Sequence, residues 1–229
     1  MRTGRRLMVM MACGAVLSAG CGANRRVVSY PPDALIVAYE PATTYSTCLL
    51  AATAMAANYL EDRRRFTVPA MLAELRRAGA DESRVGDVRR YLADKGLHLV
   101  ALSGRLDDKP EEGLSFWLNA KGYPPICIIN RTGDNPAFNH AVVVIGIQSR
   151  ADSTETIHYL DPSADPPLFS CDRSAFETLW GRCGRAMLLV VRPPADANDR
   201  PPRPMSRPGA GGAGLSPNRE PRDVSDEVI

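Results

Sequence analysis

Residues 48–61 read CLLAATAMAANYLE, preceded by Tyr45, Ser46 and Thr47. Alanine, leucine and methionine dominate this stretch, and they are strong helix formers. Apolar residues fall on nearly every face of the helical projection, so the segment is expected to be a buried helix rather than an amphipathic surface one. Ser46 and Thr47 are the expected cap residues, because a hydroxyl before a helix can accept its unpaired N–H groups. Cys48 then falls in the first turn, where free N–H groups and the helix dipole favour a negative sulfur. A cysteine here is also an ordinary small core residue, so Cys48 acquires meaning only with partners elsewhere in the chain.

Working outward, residues 34–39 (ALIVAY) read as a brief strand before a turn-like stretch rich in Thr, Ser and Pro. Two further helices are expected after the first: residues 68–78, with Pro69 in the first turn and Gly79 beyond the end, and residues 85–95, closed by Gly96. A strand at residues 98–102 and a short helix at 111–120 follow. Beyond Pro125 the pattern changes to short apolar or β-branched runs at residues 126–129, 141–147, 156–160 and 187–191, with a helix at 174–180 before the last. Helices first and antiparallel strands later make an α+β fold.

His140 stands at the head of the 141–147 strand, and Asp161 ends the next one, followed by Pro162. If these strands form a hairpin, the Asp161 carboxylate lies beside His140, accepts its ring N–H and holds one tautomer. Asp165 is a second candidate acid in the same turn. The chain has three histidines, and His98 and His158 also lie near strands, so position selects His140 only in combination with Cys48 and Asp161. Together the three compose a Cys-His-acid set, in the chain order of papain-like chemistry.

Four stretches carry a more specific resemblance: Tyr45-Ser46-Thr47-Cys48 with its Ala-rich helix; Phe138-Asn139-His140-Ala141-Val142-Val143-Val144-Ile145-Gly146; Leu160-Asp161-Pro162; and Phe176-Glu177-Thr178-Leu179-Trp180. In order and spacing the chain resembles the bacteriocin-processing, double-glycine-leader cysteine peptidases, family thirty-nine of the papain-like clan, and especially their free-standing lipoprotein branch. The resemblance implies a papain-like domain over residues 34–192, with Cys48 as nucleophile, His140 as base and Asp161 as orienting acid. It implies hydrolysis of a peptide or amide bond in a peptide or protein substrate through an acyl-thioester. Two positions depart from the family pattern. Ala42 stands where the family has an oxyanion-stabilising Gln, and Leu49 stands where it has Gly. Thr43, Thr44 or Ser46 are the candidate replacement donors, and the Cys48 N–H is expected to assist them. Loss of one such donor costs ~100- to 1000-fold in rate. A second reading is therefore a papain-like module that grips a peptide without cutting it. A wall-peptide hydrolase of the NlpC type ranks lower, because its Asp-Cys-Ser motif is absent.

The ends of the chain read differently. Arg2, Arg5 and Arg6, an apolar run from Leu7 to Leu17 and a small-residue zone compose a secretory signal over residues 1–20. Leu17-Ser18-Ala19-Gly20-Cys21 resembles a bacterial lipobox, which implies acylation of Cys21 and attachment to the cell envelope, on the periplasmic face of the outer membrane where there is one. Residues 21–33 read as a tether. Residues 193–229, rich in Pro, Gly, Arg and Asp and without an aromatic, read as a disordered tail. A net charge of +2 gives no reason to expect nucleic acid as a partner. No Cys-x-x-Cys or close His pair occurs, so neither metal nor cofactor is expected. Of six cysteines, Cys48, Cys127, Cys171 and Cys183 fall within the expected domain. Export makes pairing possible, and Cys171 with Cys183 is the candidate disulfide.

Overall fold

The computed structural model describes residues 30–133, 135–149 and 154–193. The expected signal, Cys21 and the tail from residue 194 onward lie outside these residues. Three helices come first: α1 (Cys48–Glu61), α2 (Val68–Arg77) and α3 (Val85–Asp94). The strands are β1 (His98–Ser103), β2 (Ile126–Asn130), β3 (Asn139–Ser149), β4 (Glu155–Leu160), β5 (Leu168–Asp172) and β6 (Ala186–Val191). A fourth helix, α4 (Arg173–Gly181), precedes β6. All strands pair antiparallel in one sheet of order β1-β6-β2-β3-β4-β5. The fold is α+β, as the sequence pattern requires.

The sheet is covered on both faces, which is why its central strands are almost continuously apolar. Ile126, Ile128, Ala141, Val143, Ile145, Leu188 and Val190 pack with α1, α2 and α3. The alternating residues Cys127, Ile129, Val142, Val144 and Met187 pack with Leu106, Leu114, Leu118 and the α4 residues Phe176 and Trp180. The period of two along each strand sends neighbours to opposite cores. Helix α1, buried from Cys48 to Asn58, lies against β3 and β6 and so brings its N-terminal end to the strand that begins with Asn139.

The expected elements are present with three corrections. Residues 34–39 are not a strand. They are tied to β3 by the Leu35 N–H, which donates to the Ile145 carbonyl at 2.7 Å. The β3–β4 register slips between Val144 and Gly146, and the bulge turns the Ile145 carbonyl away from β4 towards this segment. The helix expected at 111–120 begins only at Leu114 and ends in a π-helical turn, Phe116–Ala120. Strand β5 has no strong sequence signal. It is a short, half-buried edge strand whose pairing to β4, not its composition, makes it a strand. The candidate disulfide is also absent: Cys171 and Cys183 are both free thiols.

Trp180 is fully buried, and its indole N–H donates to the Ala186 carbonyl at 2.8 Å. Its ring edge lies over Gly104, where an added Cβ would stand 2.6 Å from two ring carbons. Gly104→Ala is therefore expected to destabilise the domain by about 1–3 kcal/mol through overpacking, read as a lower urea midpoint with an unchanged slope.

Candidate active site

Thr47 is the N-cap residue of α1, as expected, but its side chain makes no cap hydrogen bond to that helix. Tyr45–Thr47 form a 3-10 turn that runs directly into α1, with Thr44 as its N-cap. Thr47 still satisfies helix-start donors, but from within the turn: its hydroxyl oxygen accepts the N–H groups of Thr43 (2.9 Å) and Thr44 (3.0 Å). Cys48 is thus one turn into a continuous helical segment, and its own N–H donates to the Tyr45 carbonyl.

This has a consequence for the candidate oxyanion donors. Ser46 Oγ donates to Glu82 at 3.2 Å. With that single proton used, the Thr44–Ser46 hydroxyl contact of 3.0 Å has Thr44 as donor. Thr47 Oγ1 donates to the Thr44 carbonyl at 2.9 Å, so the 3.4 Å contact to Thr43 is donated by Thr43. The hydroxyls of Thr43, Thr44 and Ser46, and the Cys48 N–H, are all committed to partners within or beside the turn. In this conformation each already has a partner.

The other two residues meet at one end of the sheet. His140 is the second residue of β3, opposite Ile129 of β2. Asp161 follows the last residue of β4, which pairs with Val143. The hairpin brings His140 Nε2 to 2.7 Å from Asp161 Oδ1. Cys48, His140 and Asp161 are 4%, 5% and 1% exposed. The other ring nitrogen, Nδ1, is buried and lacks a well-aligned hydrogen-bond partner. Cys48 is nevertheless near enough to act on the ring: burial lowers the His140 pKa, but Asp161 and Cys48 outweigh it and raise it to about 9. Burial in turn raises the Asp161 pKa, and His140, the Ser163 N–H and Arg131 more than reverse this and hold it below the usual carboxylate range. Asp165 is not the partner of His140. His158 is bonded to Ser170 at 2.7 Å and Gln148 at 3.3 Å, and His98 lies on the edge strand β1, so neither belongs to this cluster.

The sequence reading gave four neighbours no part in the site. Tyr45, 51% exposed, stacks on the His140 ring with centroids 5.7 Å apart, and its hydroxyl donates to the Asn139 carbonyl at 3.2 Å. Tyr39 donates its hydroxyl to the carbonyls of Pro162 (2.9 Å) and Ala164 (3.1 Å), and the Ala42 N–H donates to Pro162 at 2.8 Å. The approach to the cysteine is thereby tied to the turn that holds the acid. Arg131 Nη2 lies 2.8 Å from Asp161 Oδ2. Cys183 donates to Asn139 Oδ1 at 3.2 Å, and burial, offset in part by Arg182, raises its pKa to about 11. Only Tyr45 was legible beforehand, from its place three residues before Cys48. The rest are joined by contacts across the fold that no local pattern encodes.

The described residues thus form an α+β domain with a buried Cys-His-Asp cluster where the first helix meets one end of an antiparallel sheet. The sequence matches no protein-family model and no curated protein. Among solved structures, the chain is similar to the peptidase domain of Streptococcus ComA, a bi-functional ABC transporter involved in a quorum-sensing pathway. The sequence identity is 13% and the TM-score 0.49, over 68% of this chain and 98% of that one.

The pKa shifts set a pH window. His140, raised from 6.5 to about 9, stabilises the fold fully below about pH 6.5, and the contribution is lost as pH rises through 9. Asp161, lowered from 3.8, stabilises the fold above about pH 4, and the contribution is lost on further acidification. The stability difference between the wild type and Asp161→Asn is expected to be largest between about pH 4 and 6.5 and to shrink towards pH 9. Urea midpoints across that range measure it.

Proposed function

We propose that this chain is a papain-like thiol peptidase or amidase of the bacteriocin-processing type, exported and lipid-anchored at Cys21 in the cell envelope. A peptide or protein segment is its substrate. The reading rests on one observation: His140 is bonded to Asp161 through Nε2 at 2.7 Å, its other ring nitrogen is buried without a hydrogen-bond partner, and Cys48 is among the groups that raise its pKa. That is the arrangement a base needs when it takes a thiol proton and returns it to a leaving group. Asp161 fixes the tautomer and stabilises the imidazolium.

In this reading His140 accepts the Cys48 proton, and sulfur attacks the carbonyl carbon. The C–N bond breaks, the imidazolium gives its proton to the departing amine, and an acyl-thioester remains. His140 then takes a proton from water, the resulting hydroxide attacks the thioester, and the C–S bond breaks with the proton returned to sulfur. The Leu17–Cys21 stretch supports the anchor, and with it a place on the periplasmic face of the outer membrane.

A second reading has a specific observation in its favour. With Ala42 in place of Gln, and with the turn hydroxyls and the Cys48 N–H all committed, the described conformation offers little to stabilise an oxyanion. A domain that binds an extended peptide over an idle cluster fits that feature.

Labelling of the intact protein with iodoacetamide at neutral pH is expected to favour Cys48 over Cys127, Cys171 and Cys183. His140→Ala is expected to slow labelling of Cys48 about 100-fold or more; an unchanged rate would remove the base from the mechanism. Ala42→Gln separates the two readings. A hydrolase should gain turnover on a peptide library, by roughly 10- to 100-fold, short of the full value of a well-placed donor. A binding module should show none with either residue.

A further inference from the structure

Asp161 is almost fully buried and has two carboxylate oxygens with different duties. Oδ1 accepts from His140 at 2.7 Å and from the Ser163 N–H at 2.8 Å. Oδ2 faces Arg131, whose Nη2 stands 2.8 Å away. The guanidinium does not reach in from bulk solvent unsupported. Its central carbon lies 5.0 Å from the centroid of the Phe169 ring and 6.0 Å from that of Tyr159. These rings stack on each other at 5.6 Å. A planar cation laid against two aromatic rings with one edge on a carboxylate has little freedom to swing away.

The backbone that carries Arg131 is braced as well. Asn130, the last residue of β2, accepts the N–H groups of Thr132 (3.0 Å) and Gly133 (3.2 Å) on its side-chain oxygen. Its side-chain nitrogen donates to the Asn135 carbonyl at 2.8 Å and to Asn139 Oδ1 at 3.1 Å. The loop between β2 and β3 is therefore pinned to the strand that bears His140, and Arg131 is held beside it.

We propose that Arg131 is a positioning residue: it holds the second oxygen of Asp161 and so sets how strongly the first binds the His140 imidazole. This rests on the thiol-peptidase reading and adds to it a residue that touches neither sulfur nor substrate. Two effects act in the same direction. A carboxylate that shares its charge with a second cation is a weaker acceptor for the first. The guanidinium charge itself also opposes an imidazolium nearby. Arg131 therefore restrains the basicity that a buried, unshared carboxylate would confer on His140 and keeps the ring able to give its proton up.

The groups around the His140–Asp161 pair come from each neighbouring element: Cys48 from α1, Tyr45 from the turn before it and Asp161 from the end of β4 act on the ring, and Arg131, just past β2, acts on the carboxylate. Cys183, after α4, is bonded to the adjacent Asn139, and Arg182 donates to the Asn130 carbonyl at 3.1 Å. Among these, only Asp161 and Arg131 carry fixed opposite charges in contact with each other, so a change at Arg131 reaches the ring through the carboxylate.

The test is the titration of the His140 ring in the intact protein, followed by nitrogen NMR and assigned by its loss in His140→Ala. The pH profile of Cys48 alkylation by iodoacetamide is measured alongside. Arg131→Gln is expected to move the alkaline transition of both upward by about one pH unit, the size of a nearby partly screened charge. Arg131→Lys, which keeps the charge, should return it most of the way. Arg131→Met retains the stem against Phe169 and stands in if the amide variant does not fold. Titrations of Arg131→Gln or Arg131→Met that superimpose on the wild type overturn the proposal and leave the thiol-peptidase reading intact. If His140→Ala also leaves Cys48 alkylation unchanged, it is the peptidase reading that falls.

Discussion

A carboxylate sealed from water must have its charge met by the protein, and this demand organises the functional end of the fold. Asp161 meets it with an imidazole from β3, a backbone N–H from its own turn and a guanidinium from the β2–β3 loop. The three donors come from different parts of the chain. The strand ends therefore converge on that one group. The next residue, Pro162, presents its carbonyl to Tyr39 and Ala42. That pair of bonds runs from the acid's turn into the segment that delivers Cys48. The positions of the sulfur, the ring and the carboxylate are thus coupled through backbone as well as through side chains.

The same end of the molecule shows where the chemistry is least prepared. Without a helical turn ahead of it, a helix beginning at Cys48 would leave its N–H free for a developing oxyanion. The added 3-10 turn instead uses that N–H internally and draws the hydroxyls of Thr43, Thr44 and Ser46 into a network that reaches Glu82. His140 and Asp161 are bonded to each other, while the donors beside Cys48 are already engaged. Turnover would require the turn to rearrange when substrate binds, whereas peptide binding would not. This imbalance is the physical difference between the hydrolase and the binding module.

The remaining thiols fit their surroundings without pairing. Cys127 is wholly buried among apolar side chains, and burial pushes its pKa well above the ordinary value. Cys171 lies on the edge strand, and burial followed by Asp172 raises its pKa. Cys183 is engaged with Asn139. Apolar surroundings that disfavour the charged form make these poor nucleophiles. The expected pairing of Cys171 with Cys183 followed from export, but both are free thiols, one on β5 and the other beyond α4.

Local pattern alone was enough for the α+β order, for the helix at Cys48–Glu61 with its matching bounds, and for the central strands. In each case the information is carried by composition and by the period of the apolar residues, which a single segment contains in full. It also suggested bringing His140 and Asp161 together, because a hairpin of adjacent strands is the simplest way to join them. The tertiary structure alone decided what lies across the fold. It made residues 34–39 a tied segment rather than a strand, because a bulge at Val144–Gly146 turned one carbonyl outward. It made residues 168–172 a strand through pairing to β4. It also placed Arg131 on the far oxygen of Asp161 and committed the turn hydroxyls before Cys48. Hydrogen-bond partners and charge neighbours are set by which segments meet in space, and only the folded chain determines that.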